Sequence, residues 1–316
     1  MKAVRFHEVG GPEVLRYEDV EEPIPGPGEV RVRVAASAFN AADAGMRGGF
    51  LPIPVKLPHV PGYDVSGTVD ALGEGVAGTP DAGGLQVGDA VIGFLPMDRD
   101  GGAAEHVIAP ADAWVPAPTS VPLADAAALP SVALAAWQAL FDLGDLTAGQ
   151  RVLINGAGGV VGKYAVALAR RAGVHVVATA SPRSDAAVRA AGADQVVDHT
   201  TTDVLTAVEE QVDVLVNLAP IDPDRFGALV AVVRDGGKVV STTAFMATPG
   251  DESRGVSAAT VFVLPNRNRL TQLVSLVDSG ELQVEVTRRI PLAELPALHA
   301  EAEVGRVAGK VIVQPA

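Results

Sequence analysis

Four glycines follow one another closely at Gly156, Gly158, Gly159 and Gly162. A short apolar run, Val152 to Ile154, leads into them, and a segment with helical spacing follows. A second apolar run covers Val174, Val176 and Val177. Strand, glycine turn, helix, strand is the first half of a dinucleotide-binding unit. Its chemistry is anion binding: a pyrophosphate lies against backbone N–H groups at a helix N-terminus, where a side chain would hold it off. The spacing is Gly156-x-x-Gly159-x-x-Gly162, because Val161 stands where G-x-G-x-x-G would need its third glycine. The expected cofactor contacts are Gly156, Gly158, Gly159 and the backbone of Val160 and Val161.

The far end of the second strand selects the cofactor. An NAD site places an acid about 20 residues past the glycines, on the ribose 2′-OH. Here the chain reads Ala178-Thr179-Ala180-Ser181-Pro182-Arg183, with no carboxylate before Asp185. Ser181 and Arg183 suit a 2′-phosphate, by hydrogen bond and by charge, and Lys163 is a second cation. The expected cofactor is therefore NADPH. The plainer reading makes Ser181 an N-cap with Pro182 at the first helical position, and Arg183 a solvated residue. Asn217 and Ser241 to Thr243 end later strands, where such a fold presents residues to its ligand.

Some chemistry is excluded by absence. There is no cysteine, so neither disulfides nor thiolate metal sites can form. The six histidines show no ligand spacing, and no metal is expected. Without a Lewis acid, hydride addition to an electron-poor acceptor fits better than oxidation of a simple alcohol. No clear general acid stands out, so solvent is the expected proton source. Asp43 and Arg47, at i and i+4, read as a structural ion pair. Tyr63, Phe50, Phe94, Phe245 and Phe262 are candidate walls for a flat ring.

The elements that must position these residues fall into three stretches. Residues 1–120 alternate short apolar runs with breaks such as Pro23 to Gly28, Pro61-Gly62 and Gly83-Gly84. That pattern predicts a compact β-rich domain. Residues 122–143 have helical spacing interrupted by Pro130. From Arg151, β and α patterns alternate: strands at 152–155, 174–179, 195–197, 213–216 and 238–241, with helices at 160–172, 203–210 and 223–234 and one from Pro182 to Gly192. The prediction is a Rossmann doubly wound parallel sheet. The tail, with a helix in 264–279, a strand at 283–286, a helix at 292–304 and a strand at 310–313, reads as a return to the first domain. The expected domains are 1–121 with 265–316, and 122–264.

Bulk properties agree. The chain has 316 residues, 48% of them hydrophobic and 20% charged, enough apolar side chains for two packed cores. Its net charge of -14 argues against nucleic acid or an anionic membrane as partner. The first residues lack a signal-peptide apolar run. The longest apolar stretch, 131–141, is interrupted by Gln138 and falls short of the roughly 18 residues of a membrane span. A cytoplasmic location is expected.

Ordered motifs along nearly the whole chain resemble the medium-chain dehydrogenase/reductase superfamily, in its zinc-free, zeta-crystallin-like quinone oxidoreductase branch. They are the opening MKAVRFHEVGGPEVL, NAADAGMRGG (Asn40 to Gly49), PGYDVSGTVDALGEGV (Pro61 to Val76), VGDAVIG (Val87 to Gly93), the glycine turn, and GKVIV (Gly309 to Val313). The resemblance implies a GroES-like β-rich catalytic domain beside the Rossmann sheet. It implies hydride transfer from NADPH to a quinone or an α,β-unsaturated carbonyl. By position it implies Asn40 and Tyr63 as catalytic residues, Asn40 at the nicotinamide as well, and Phe262 among the cofactor contacts. Gly62-Tyr63-Asp64 replaces the Gly-His-Glu of the zinc enzymes. A homodimer is expected through the Val256 to Leu264 segment. A pathway-specific enoyl or alkenal reductase and a non-catalytic NADPH-binding protein are the alternative readings.

Overall fold

The computed structural model describes residues 1–77, 84–243 and 245–315; Gly83, half of one expected break, lies outside them. The chain forms two compact units, Met1–Ser131 with Pro265–Ala316, and Val132–Leu264.

The first unit is built on β3 (Glu29–Ala38), which pairs antiparallel with β4 (Asp64–Leu72), β6 (His106–Pro110) and β15 (Val311–Gln314). β5 (Ala90–Phe94) and β7 (Trp114–Pro116) extend the sheet on one side, and β14 (Arg288–Pro291) runs parallel to β15 on the other. β1 (Lys2–Phe6) and β2 (Leu15–Asp19) make a separate antiparallel pair. The strict alternation of Val30, Val32 and Val34 turns one face of β3 inward, onto Val65, Val69, Val91 and Trp114. The tail thus returns to the first unit.

The first boundary lies beyond the expected break at Val121. Ala127 and Ala128, after the short helix α2 (Leu123–Ala126), pack against Ala36, Ala38 and Ile312. Side chains this small let helix and sheet approach closely and hold this segment in the first unit. The strand expected at 283–286 is irregular; Val284 and Val286 rest on the same small-residue cluster, and β14 begins later. The helix expected at 292–304 opens with a 3-10 turn and becomes α9 at Leu295–Glu303.

The second unit is a six-stranded sheet, parallel throughout: β8 (Arg151–Asn155), β9 (His175–Ala180), β10 (Gln195–Asp198), β11 (Val212–Asn217), β12 (Val233–Ser241) and β13 (Ser257–Thr260). The order is β10-β9-β8-β11-β12-β13, the doubly wound arrangement whose chain direction switches between β8 and β11. Helix α4 (Val160–Arg171) buries Tyr164, Ala165, Val166, Leu168 and Ala169 along one face. Three expected helices change bounds, and that of 203–210 is only the single turn Val204–Ala207, with Val208 already out of helical conformation. The helix of 223–234 stops as α7 at Pro223–Leu229, because Val233 already enters β12, and Gly236-Gly237 sits in that strand beside a register shift. Helix α5 (Asp185–Ala190) starts later than Pro182, because Ser184 and Asp185 donate their N–H groups to the Ser181 carbonyl in a preceding turn. Ser181 is therefore not its N-cap.

The helical region Leu123–Leu143 keeps the bounds read from the sequence, and taken whole it exceeds the 131–141 apolar stretch singled out there. By length and composition it would cross a membrane, with mean hydropathy 1.4 over 18 residues, but 72% of that window is buried inside the protein. It comprises α2, then α3 (Pro130–Trp137), then a π-helical turn at Gln138–Leu143.

Gly162 sets how α4 leaves the glycine turn. A Cβ there would lie 2.5 Å from the Ala157 Cα and carbonyl oxygen, which are backbone and cannot swing away. Gly162→Ala is expected to lower stability by about 1–3 kcal/mol through overpacking, measured by urea denaturation.

Candidate active site

In the second unit the sequence-predicted residues gather at the C-terminal end of the parallel sheet. Asn155, Asn217 and Ser241 end neighbouring strands in register. Gly156 follows with φ of 89°, a conformation open to glycine, and a Cβ on it would meet the Ala219 Cβ at 2.8 Å. At Gly158 a Cβ would meet the Ser184 hydroxyl at 2.3 Å. Gly159 differs. It is exposed, it caps α4 in an extended conformation, and a Cβ on it would meet the Gly156 carbonyl oxygen at 3.4 Å, an ordinary van der Waals contact. Val160 and Val161 form the first turn of α4, where helix geometry leaves N–H groups without intrahelical acceptors. This cradle fits a dinucleotide phosphate.

The β9–α5 turn lies alongside. Ser181 is half-buried and shares hydrogen bonds with Ser184, whereas Arg183 is exposed. Asn217 and Ser241 are fully buried, with side chains bonded to protein atoms: Asn217 Nδ2 donates to Ser241 Oγ at 3.3 Å and to the Ala219 carbonyl at 3.1 Å. Their contribution to a ligand site is to shape the loops that follow them. Phe262 is half exposed, and Val261 beside it donates its N–H to the Ser241 carbonyl. The sequence reading missed Thr179, Asn155 and Ser184, polar residues that pattern alone does not separate from ordinary strand ends and turns.

In the first unit Asn40 precedes α1 (Ala41–Arg47), and its N–H donates to the Asp43 carboxylate at 2.7 Å. Its carboxamide is held on both sides. Nδ2 donates to Asp64 at 2.9 Å and to the Ala38 carbonyl at 3.3 Å, and Oδ1 accepts from Lys310 Nζ at 2.5 Å. Asp64 also accepts from the Ser131 hydroxyl at 2.6 Å, the Ser131 N–H at 2.8 Å and Lys310 at 3.2 Å. Lys310 was missed, although a lone cation opening the apolar run Val311 to Val313 was a signal.

Two expectations are corrected. Arg47 pairs with Glu303 at 2.6 Å rather than with Asp43, whose carboxylate is taken by the Asn40 and Gly62 N–H groups. Tyr63 does not join Asn40: it is a core residue, and its hydroxyl lies 2.7 Å from the His59 ring nitrogen. Burial holds its phenol well above the usual range, so it is no ready proton donor. Phe94 is likewise core, whereas Phe50 and Phe245 are exposed.

Neither polar cluster suits zinc. The groups bonded to Asn40 are the carboxyls of Asp43 and Asp64 and the Lys310 ammonium that neutralises Asp64, with no imidazole or thiolate among them. Among the described residues Glu22, Asp70 and His106 also converge, but the Arg31 guanidinium already bonds both carboxylates.

Comparison with known proteins follows this geometry. Residues 26–119 match the alcohol dehydrogenase GroES-like domain and residues 191–313 the zinc-binding dehydrogenase domain. The chain belongs to the medium-chain dehydrogenase/reductase superfamily. Within it, it falls in the quinone oxidoreductase branch. A chloroplast envelope quinone oxidoreductase homolog from Arabidopsis thaliana is 30% identical, over 100% of this chain and 98% of the relative. The solved quinone oxidoreductase from Coxiella burnetii has a TM-score of 0.89 at 29% identity, over 100% and 99%. A mycobacterial protein solved in complex with NADPH has a TM-score of 0.85 at 27% identity, over 100% of both chains. The chain is thus an oxidoreductase of an NAD(P)H-dependent family.

Lys310→Met would leave the Asp64 carboxylate buried without its cation. It is expected to cost about 3–5 kcal/mol, and Asp64→Asn in the same chain to recover part of that; urea denaturation measures both. A second prediction concerns pH. Burial pushes the Asp43 carboxyl up to about 7, against the Asn40 and Gly62 N–H groups that favour its charge. Burial, then the Arg47 charge, pushes His299 down to about 3. Below neutral pH the folded state holds the Asp43 proton that the unfolded chain releases, so this group's contribution falls from about pH 4 to 7. The unfolded chain holds the His299 proton that the folded state rejects, so that contribution rises from about pH 3 to 6.5. The two slopes oppose each other. His299→Gln should therefore lose stability, relative to wild type, progressively as pH rises from 4 to 6.5, in denaturation curves taken across that range.

Proposed function

We propose that this chain transfers a hydride from NADPH to a quinone or an α,β-unsaturated carbonyl without zinc. The observation that carries the reading is Gly159. Ala219, Ser184 and the Ala157 backbone account for the missing side chains at Gly156, Gly158 and Gly162. No protein atom accounts for Gly159, which opens the helix N-terminus to an outside anion. The preference for NADPH rests on the absence of a carboxylate between Thr179 and Ser184, and on Ser181 and Arg183 in that turn.

When bound, NADPH supplies the hydride. The chain's part is to hold and orient. Both amide hydrogens of Asn40 are engaged, by Asp64 and by the Ala38 carbonyl, and Lys310 takes one side of Oδ1. Asn40 thus serves by fixing the head of α1 and the loop beside it in one orientation. Asp64 and Lys310 satisfy each other, and Asp43 is wholly buried with its carboxyl held by the Asn40 and Gly62 N–H groups, so water protonates the reduced acceptor. We further propose a homodimer through the edge strand β13, flanked by the exposed Phe262 and Leu264. The charge of -14 supports a small-molecule partner and a cytoplasmic setting, away from nucleic acid and anionic membranes.

The test is binding followed by turnover. Wild-type protein should bind NADPH more tightly than NADH in a fluorescence titration, and should oxidise NADPH with a quinone or enone panel at a rate unaffected by a zinc chelator. Gly159→Ala should change stability by no more than about 0.5 kcal/mol yet weaken NADPH at least about tenfold, about 1.4 kcal/mol. A wild-type protein that binds neither dinucleotide sinks the proposal.

A further inference from the structure

The buried polar side chains at the end of the parallel sheet form one directed chain of hydrogen bonds. It starts at a donor whose identity is certain, the backbone N–H of Gly156, which donates to Thr179 Oγ1 at 2.9 Å. The Thr179 oxygen accepts there, so its single hydrogen goes to its other partner, Asn155 Oδ1, at 2.9 Å. With Oδ1 accepting, Asn155 turns Nδ2 toward Asn217 and donates to its Oδ1 at 2.7 Å. Asn217 in turn aims Nδ2 at Ser241 Oγ and the Ala219 carbonyl. Ser241 and Thr243 then share a 2.6 Å hydroxyl contact. Each step from Gly156 to Asn217 fixes the next, and at Asn217 the chain divides, one branch to Ser241 and one back to Ala219 beside the glycine turn. The chain crosses the ends of β9, β8, β11 and β12, and Asn155, Thr179, Asn217 and Ser241 are nearly or wholly buried.

We propose that Thr179 is a positioning residue for the cofactor turn, and that it works as the first link of this chain. Thr179 anchors the N–H of the residue that must hold φ at 89°. Through the two carboxamides the same chain reaches Ala219, whose Cβ bounds Gly156 from the other side. Hydrogen bonds aligned in one direction inside a protein strengthen one another, so the far end at Ser241 contributes to the hold on Gly156. None of this requires Thr179 or Asn217 to touch a ligand, and nothing in the glycine spacing encodes it. The inference rests on the reading of this turn as the dinucleotide site.

The test compares Thr179→Val, Thr179→Ser and Ser241→Ala with wild type, and with Leu229→Ala, a core truncation outside the chain of bonds. Two quantities are read: the Kd for NADPH by fluorescence titration, and the amide exchange rate of Gly156 in ligand-free protein. Thr179→Val removes an acceptor and a donor together and should raise both by about tenfold, the scale of one buried hydrogen bond. Thr179→Ser should restore both to within about twofold, since it keeps the hydroxyl. Ser241→Ala should speed Gly156 exchange from two strands away. Leu229→Ala should lower the melting temperature without moving Kd. If Thr179→Val binds NADPH like wild type and leaves Gly156 exchange unchanged, or if Leu229→Ala raises Kd as much, the inference is overturned. If wild type binds no dinucleotide, the functional reading fails instead, and Gly156 exchange still decides whether the chain of bonds acts as one.

Discussion

Asp64 is the point on which the first unit turns. Its carboxylate is wholly buried and gathers donors from segments far apart in sequence: Asn40 after β3, Ser131 in α3, and Lys310 just before β15. A buried carboxylate is strongly disfavoured unless its lone pairs are met. Only one arrangement of these segments meets them, and it also turns the Asn40 carboxamide into a fixed orientation. The apolar core of Val30, Val32, Val65 and Trp114 drives collapse, but apolar contacts are non-directional. The polar cluster defines which end of β3 faces which residue of the tail.

The second unit solves a similar problem with neutral groups. The strands of a parallel sheet end in a row of residues close to one another, and an unpaired polar atom there would be costly. Asn155, Thr179, Asn217 and Ser241 satisfy one another, so these strand ends stay well defined without a charge. The glycine turn proposed as the dinucleotide cradle stands on this base, and the first-turn N–H groups of α4 remain outside it. A charge buried among the strand ends would compete with a phosphate or repel it; carboxamides and hydroxyls do neither.

Much of this was legible in the sequence, and the limits have physical causes. The strand–glycine–helix pattern around Gly156 identified the parallel unit, because alternating periods and glycine spacing are local properties. The return of the tail to the first unit was readable from the break in that alternation. What was not readable depended on partners distant in sequence. The pairing of Asp43 with Arg47 looked right at i and i+4, yet a helix as short as α1 exposes both to outside groups, and Gly62 and Glu303 took them. Tyr63 stood in a motif beside Asp64, but it lies just before β4, and its hydroxyl found the buried His59 ring, a partner the motif does not reveal. The extra length of β12 was hidden because Gly236-Gly237 interrupts the strand pattern, beside a register shift against β11.

The first unit is discontinuous, and this orders events during synthesis. β3 and β4 leave the ribosome early, but β15, which completes the sheet beside β3, and Lys310, which neutralises Asp64, come from the tail. The six parallel strands of the second unit lie wholly between and need nothing from the tail. The middle of the chain can therefore finish folding first, while in the earlier segment β6 already covers Glu29 to Arg33 of β3 but Ser37 and Ala38 lack their partner strand and Asp64 its cation. Docking of the tail pairs this last stretch of β3 and, in the same step, brings Lys310 to complete the cluster around Asn40.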